Sequence, residues 1–318
     1  LGSSVVFLLP SLILIYSSTG TLDFEQGGVL SGSTLSSSGL SLIFIFFLFG
    51  FAKAALMPFH SWLPGAMVAP TPVSALLHAV AVVKVGVFSI VRVVTEVYGV
   101  DLLAELELVG FRLSSLGCLI ASVTVIVASL IALSQDSLKR RLAYSTIGQL
   151  AYIVLGVLLL SVSGVIGSKL HIAMHAFSKI TLFFCAGAIY VASGKKLVSE
   201  LDGLGKKMPY TFFAFLIGSM GVVGIPLTGG FISKLLLLFG SLEADRILVL
   251  IVYLISSLLS ATYLFPIVYR GYFGSAKSKD IEKVKEVNLF CLLPLLITAS
   301  LTVILFFSSE IFIGLVDK

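Results

Sequence analysis

Residues 165–192 read VIGSKLHIAMHAFSKITLFFCAGAIYVA, and this stretch decides what kind of chain this is. At ~1.5 Å per residue a helix of that length crosses the ~30 Å hydrocarbon core of a bilayer. Yet it holds His171, His175 and Lys179 in its middle. Comparable apolar runs lie near 3–18, 39–57, 71–95, 111–133, 142–161, 210–240, 246–270 and 287–307. The pattern predicts an all-α membrane protein of about nine transmembrane helices.

Composition agrees. Hydrophobic residues make up 58% of the 318-residue chain and charged residues 12%, against about 25% charged in a soluble domain. Mean hydropathy is +1.12. Too few polar groups exist to cover such a chain in water, so the lipid bilayer is its solvent. Cys118, Cys185 and Cys291 are scattered inside apolar runs, a pattern of core packing rather than of a metal site or a disulfide framework. Asparagine occurs once and glutamine three times, an amide poverty that hints at a thermophile. The chain begins without Met inside an apolar run and shows no signal-peptide pattern, which suggests a piece of a larger or split protein.

Basic residues fix the expected orientation. More than half of the 21 Lys and Arg lie in three alternate loops: Lys139 to Arg141, Lys195 to Lys207, and Arg270 to Lys285. The intervening loops carry acids: Asp23 and Glu25, then Asp101, Glu105 and Glu107, then Glu243 and Asp245. By the positive-inside rule the basic loops are cytoplasmic. The net charge of +5 therefore calls for no nucleic-acid partner.

Two spans are interrupted. One runs into Met57-Pro58-Phe59-His60-Ser61-Trp62-Leu63-Pro64, and the other contains Gly224-Ile225-Pro226 followed by Gly229-Gly230. Proline removes a backbone donor and glycine loosens the turn, so Pro58, Pro64, Pro226, Gly229 and Gly230 mark helix breaks at membrane depth. Ionisable residues recur within the spans: Lys53, His78, Lys84, His171, His175, Lys179 and Lys234. A lone intramembrane Lys can snorkel to the interface, but seven such groups point to an ion pathway. None of the 16 acids lies in a span interior. The basic groups are therefore neutral, or a neighbouring chain supplies the carboxylate. His171, His175 and Lys179 follow at intervals of four, one face of a helix, and imidazole can take a proton at one nitrogen while releasing one at the other. A hydrogen-bonded core pair is the bland alternative, and HxxxH alone does not make a metal site.

These residues resemble the antiporter-like subunits: the large membrane-arm subunits of respiratory complex I, the large Mrp-type sodium/proton antiporter subunits, and relatives in membrane-bound hydrogenases and sulfane reductases. The resemblance rests on Phe51-Ala52-Lys53, Met57 to Pro64, Ala69-Pro70-Thr71-Pro72 through His78, and Val83-Lys84-Val85-Gly86. It continues in Asp136 through Gln149, in His171 through Lys179, and in Gly224-Ile225-Pro226 through Lys234. It implies inverted five-helix repeats, each with one broken helix. Residues 1–110 are then a partial first repeat with its broken helix at about 39–70. Residues 111–270 are a complete second repeat broken at 210–240, and 271–318 form a cytoplasmic loop and final helix. It implies Lys53 as the first-channel lysine, Lys84 or His78 as a connecting site, His171 and His175 as the central relay, and Lys234 as the exit-side site. The opening helices of the first repeat, one of which carries a pairing glutamate in the family, are missing.

The expected function is proton or sodium translocation by a subunit of a multisubunit respiratory or Mrp-type complex in a prokaryotic cell membrane, with an archaeal assembly favoured. The alternatives are a transport-inactive structural subunit, and a cytochrome with haem held by His78 and His171 or His175. The chain shows no GxSxG, HExxH, phosphate loop or CxxC, so no enzyme chemistry and no cofactor is expected of it. Sodium sites want oxygen ligands, and the spans offer only hydroxyls and carbonyls, which favours protons.

Overall fold

Backbone groups in lipid must be satisfied within the chain, and the computed structural model, which describes residues 2–25, 27–275 and 279–316, satisfies them mostly with helices. In chain order these are α1 (Gly2–Thr19), α2 (Ser37–Gly50), α3 (the span Thr71–Tyr98), α4 (Leu113–Ser134), α5 (Leu138–Val157), α6 (Val162–Ser193), α7 (Pro209–Val223), α8 (Gly229–Glu243), α9 (Ile247–Phe273), α10 (Leu289–Phe307) and α11 (Ser309–Val316). Five of them, α3, α4, α6, α9 and α10, are long and apolar enough to cross a membrane. Residues 276–278, inside the third basic loop, lie outside the described residues.

Several boundaries differ from expectation. α5 begins at Leu138, not near 142, because Lys139 to Arg141 form its first turn. Two of these find carbonyl partners there: Lys139 Nζ donates to the Ala69 carbonyl at 2.5 Å, and Arg141 donates to the carbonyls of Gln135 (2.8 Å) and Tyr263 (3.0 Å). α11 lies beyond the last expected helix. A two-residue hairpin, Glu107–Leu108 with Phe111–Arg112, interrupts an otherwise helical fold.

Both expected breaks are present. After α2 the chain makes a 3-10 turn at Ala52–Ala54, and helix resumes for one turn at Trp62–Gly65. Pro58 lies in the intervening turns and Pro64 inside the resumed helix. The freed groups find side-chain partners: the Trp62 indole donates to the Ala52 carbonyl at 2.9 Å, and the Met57 amide to Thr124 Oγ1 at 3.2 Å. The second break separates α7 from α8. Gly224 ends α7 in the left-handed conformation (φ 86°), Pro226 lies in the gap, and Gly229 and Gly230 open α8. A Cβ on Gly230 would stand 1.9 Å from the Gly221 carbonyl oxygen, so only glycine lets α7 and α8 cross this closely. α3 contains π-helical stretches at Leu76–Val80 and Val93–Tyr98, which the apolar run does not announce.

Loops of like character gather at the same end of the bundle. At the basic end the Leu138 amide donates to the Lys196 carbonyl, the Val198 amide to Asp136, and the Gly203 amide to Arg270. At the other end Ser163 bonds to Glu243 through both its amide and its hydroxyl. α6 runs between these ends and packs against α3, α5, α7, α8 and α10. Glycine and serine allow the close approach: a Cβ on Gly167 would meet the α8 backbone at Leu237 at 3.0 Å, and one on Gly218 the Ser178 carbonyl at 3.1 Å.

Gly86 of α3 lies against the first break, where a Cβ would stand 2.3 Å from the Ala54 amide nitrogen. Gly86→Ala should cost about 1–3 kcal/mol by overpacking, seen as a lower unfolding midpoint in detergent. Gly65→Ala, with no atom within 4 Å of its Cβ, should leave the midpoint unchanged or raise it. The exposed Asp136 carboxylate accepts from the Ser199 hydroxyl (2.7 Å) and amide (2.9 Å), and the hydroxyl bond holds it below its ordinary value of 3.8. A depressed carboxylate contributes its stabilisation above that value and loses it as pH falls through the folded value. Asp136→Ala should therefore free the 195–199 segment at neutral pH and speed tryptic cleavage after Lys196 severalfold.

Candidate functional site

His171, His175 and Lys179 share one face of α6, and all three are buried. The row runs from the acidic-loop end towards the basic-loop end. Facing it are α5 with Ser145, Gln149 and Tyr152, α8 with Ser233 and Lys234, α3 with Lys84, and α9 with Ser257, Ser260 and Tyr263.

His171 has both ring nitrogens engaged. Nε2 pairs with Gln149 Oε1 at 3.1 Å and Nδ1 with Ser233 Oγ at 2.8 Å. Ser233 has one hydroxyl proton and a second possible acceptor, the Gly230 carbonyl at 3.1 Å. When that proton points at Gly230, the oxygen can accept from a protonated Nδ1; when it points at the ring, Nδ1 accepts. One hydroxyl rotation thus accommodates either charge state of His171.

His175 Nδ1 stands 2.7 Å from Lys84 Nζ, while its Nε2 has no partner. At that separation two full positive charges repel strongly in a low-dielectric interior, so the pair holds one proton between them more readily than two charges. The rings of His171 and His175 are 5.8 Å apart and nearly parallel. Lys179 Nζ donates to Ser145 Oγ (2.7 Å) and the Leu142 carbonyl (3.2 Å). Tyr263 donates to the same Ser145 oxygen at 2.9 Å and pairs with Ser260 at 3.1 Å.

Lys234 closes the other end. Its Nζ donates to Ser257 Oγ and to the Val223 carbonyl, each at 3.1 Å, and lies 4.7 Å from the Tyr152 ring centre. Val223 is the last residue of α7, so the helix break supplies the carbonyl that receives the ammonium. Tyr152 stacks on His171 as well, with ring centres 5.9 Å apart, and links the two sites.

His78 sits in the π-helical stretch of α3, against Phe183 at 4.9 Å, one turn beyond Lys179 on α6. Both its ring nitrogens are buried without a partner. Lys53 stands apart: it is the exposed residue of the 3-10 turn at the first break, with its backbone against Gly86. The structure therefore brings together Lys84, His171, His175, Lys179 and Lys234, sets His78 beside them, and leaves Lys53 outside. Among the described residues the ion pairs are Arg92–Glu96 and Arg270–Asp202, and neither involves the row.

The hydroxyl and amide partners were not singled out from the sequence. A signal existed: Ser145, Gln149 and Tyr152 fall at i, i+4 and i+7 in an apolar span, one polar face turned inwards. Ser257, Ser260 and Tyr263 give no comparable signal, because serine is common in transmembrane helices.

A family model described as NADH:quinone oxidoreductase/Mrp antiporter, transmembrane, matches residues 2–260. The NADH-quinone oxidoreductase subunit N of Desulforudis audaxviator is 35% identical over 275 residues, which is 85% of this chain and 53% of that protein. Subunit L of the same enzyme from Buchnera aphidicola (subspecies Baizongia pistaciae) is 33% identical over 308 residues, 95% of this chain and 47% of that protein. The chain thus spans about half the length of these curated relatives. Among solved structures, a chain of the archaeal membrane-bound sulfane sulfur reductase superposes with a TM-score of 0.85 at 29% identity, covering 99% of this chain and 62% of the other. A chain of the Mrp complex from Dietzia sp. gives the same score at 23% identity, a likeness of fold, with 98% and 64% covered.

The Lys84–His175 contact can be measured by a double-mutant cycle. Lys84→Met and His175→Leu should each cost ~1–3 kcal/mol, because each strands a buried partner. The double variant should fall short of the sum by at least ~0.5 kcal/mol. Strict additivity in detergent unfolding would dissolve the pair.

Proposed function

The chain belongs to the NADH:quinone oxidoreductase/Mrp antiporter transmembrane family, and we propose that it carries protons across the membrane as an antiporter-like subunit of a multisubunit respiratory or Mrp-type complex. The observation that carries this reading is the buried row of Lys234, His171, His175 and Lys179, with hydroxyl partners at Ser257, Ser233 and Ser145 and with Lys84 against His175.

The chain crosses the bilayer nine times when each broken helix is counted as one pass, with the basic loops in the cytoplasm. The 111–270 segment is a full repeat broken at 210–240, and 1–110 a partial repeat broken at about 39–70. Each break carries a lysine close by, Lys53 in one and Lys234 in the other. A proton enters from the basic end along Tyr263 and Ser145 to Lys179. It crosses to His175, shared with Lys84, then to the neighbouring ring of His171. Rotation of the Ser233 hydroxyl accepts the charge at His171, and Lys234 receives it at the second break. His78, beside the row, is the connecting site towards the first break. The hydroxyl-lined path offers no carboxylate oxygens, which favours protons over sodium. Redox chemistry in the complex belongs to other subunits.

One observation favours a second reading, a transport-inactive scaffold: Lys53 is exposed and no carboxylate of the described residues pairs with it. In the translocating reading a neighbouring membrane subunit supplies that carboxylate.

Ion flux in proteoliposomes holding the assembled complex separates the two. Under an imposed pH gradient, Lys234→Ala and His175→Ala should abolish coupled proton flux with assembly intact, and Cys185→Ala should leave flux near wild type. Unchanged flux in Lys234→Ala would establish the scaffold instead.

A further inference from the structure

We propose that the basic-loop end of the bundle holds an anionic phospholipid in a groove between α3, α5, α6 and α10. This site is separate from the proton row and does not depend on it. The groove encloses about 880 Å³. Lys139, Arg140, Lys195 and Lys196 stand at its mouth, and its walls include Phe184 and Val191 of α6 and Phe290 and Pro294 of α10.

The two halves of the lining match the two halves of a lipid. From Phe184 to Ser193 the α6 end spans about 14 Å at ~1.5 Å per residue, close to the depth of one leaflet of a ~30 Å hydrocarbon core. Acyl chains would lie along that wall. Gly187 sits on it between the larger side chains and leaves room. Val68 (93% exposed) and Phe290 (89%) are among the most open apolar side chains of the fold, as expected of surfaces that face lipid.

The mouth carries more positive than negative charge. Asp136 and Glu200 stand beside it, but they turn their oxygens to the Ser199 amide and hydroxyl and to the Lys196 and Leu197 amides rather than to any of the four cations. Neither ion pair among the described residues includes any of the four cations. Lys139 gives one proton to the Ala69 carbonyl, and Lys196 lies over the Tyr190 ring at 4.9 Å. Each ammonium keeps further donors, and Arg140 keeps its whole guanidinium. Four cations converging where helices end, with aromatic and aliphatic walls below, are complementary to a phosphate headgroup above its chains. An acidic protein helix would satisfy the charge but not the open, leaflet-deep apolar slot.

Cys291 lines the groove and is exposed, whereas Cys118 and Cys185 are buried. Its maleimide labelling therefore reports occupancy. The assembled complex is compared in nanodiscs of phosphatidylcholine alone and of phosphatidylcholine with one-fifth phosphatidylglycerol. Phosphatidylglycerol should slow Cys291 labelling at least threefold, and millimolar inorganic phosphate should not. The triple variant Arg140→Gln/Lys195→Gln/Lys196→Gln should lose the effect. Lys206→Gln/Lys207→Gln, at the same end but outside the groove, should keep it and shows that general surface charge is not responsible. Equal labelling in the two nanodiscs overturns the proposal, as does protection that survives in the triple variant. Protection by phosphate alone would mark a free-anion site instead. Protection that persists in lipid-free detergent together with a co-purified polypeptide would mark a protein contact instead.

Discussion

An ammonium or imidazolium in the bilayer interior has no water to solvate it, and this cost governs the arrangement of the whole fold. Each buried lysine must find oxygen or nitrogen within the protein, so α3, α5, α7, α8 and α9 each bring a polar atom to the row. α6 can bury two histidines and Lys179 because it is enclosed: its neighbours are α3, α5, α7, α8 and α10. The glycines and serines at those crossings bring the helices close enough for short side chains such as Ser145 and Ser233 to reach the row. Packing and polarity are one requirement here, because a helix pushed outwards by one methyl would strand a donor.

The second break follows from the same constraint. An intact helix consumes its own carbonyls, so it has none to offer a lysine. Ending α7 at Val223 releases one, and Lys234 takes it. Gly224 then ends the helix in a left-handed conformation, with the Lys234 stem lying over it: a Cβ there would stand 2.6 Å from Lys234 Cδ. The break is therefore the means by which a cation is held at membrane depth. The first break uses its released carbonyl differently, giving Ala52 to the Trp62 indole, and its lysine remains exposed.

How much of this was legible in the sequence depended on the type of signal. Membrane class, the two breaks and the ionisable row were all visible, because each rests on residue types that lipid tolerates only for a reason: long apolar runs, Pro and Gly, Lys and His. The like-charged loops that hydrogen-bond at one end were visible through charge alternation. The start of α5 was misplaced because Lys139 to Arg141 look like loop, yet distant carbonyls at Ala69 and Tyr263 receive Lys139 and Arg141, and no local pattern records that. The π-helical stretch around His78 left no trace in an apolar run, since the extra residue per turn is set by packing. Lys53 looked equivalent to Lys234 because both sit near a break; the difference lies in which side chain caps the freed carbonyl.

The absence of carboxylates from the row has a consequence for its electrostatics. Where cations pair with acids, several can be charged at once. Here the partners are hydroxyls, amides and carbonyls, which stabilise a charge by dipoles but do not neutralise it. Lys84 and His175 touch, Lys179 lies one turn beyond His175, and His171 one turn before. A positive charge on any one raises the energy of a charge on the next. The row therefore favours few charges at a time, and moving one forward lowers the cost of loading the site behind it. Exclusion between like charges, rather than attraction to fixed acids, would set the order of transfer along this chain's own residues.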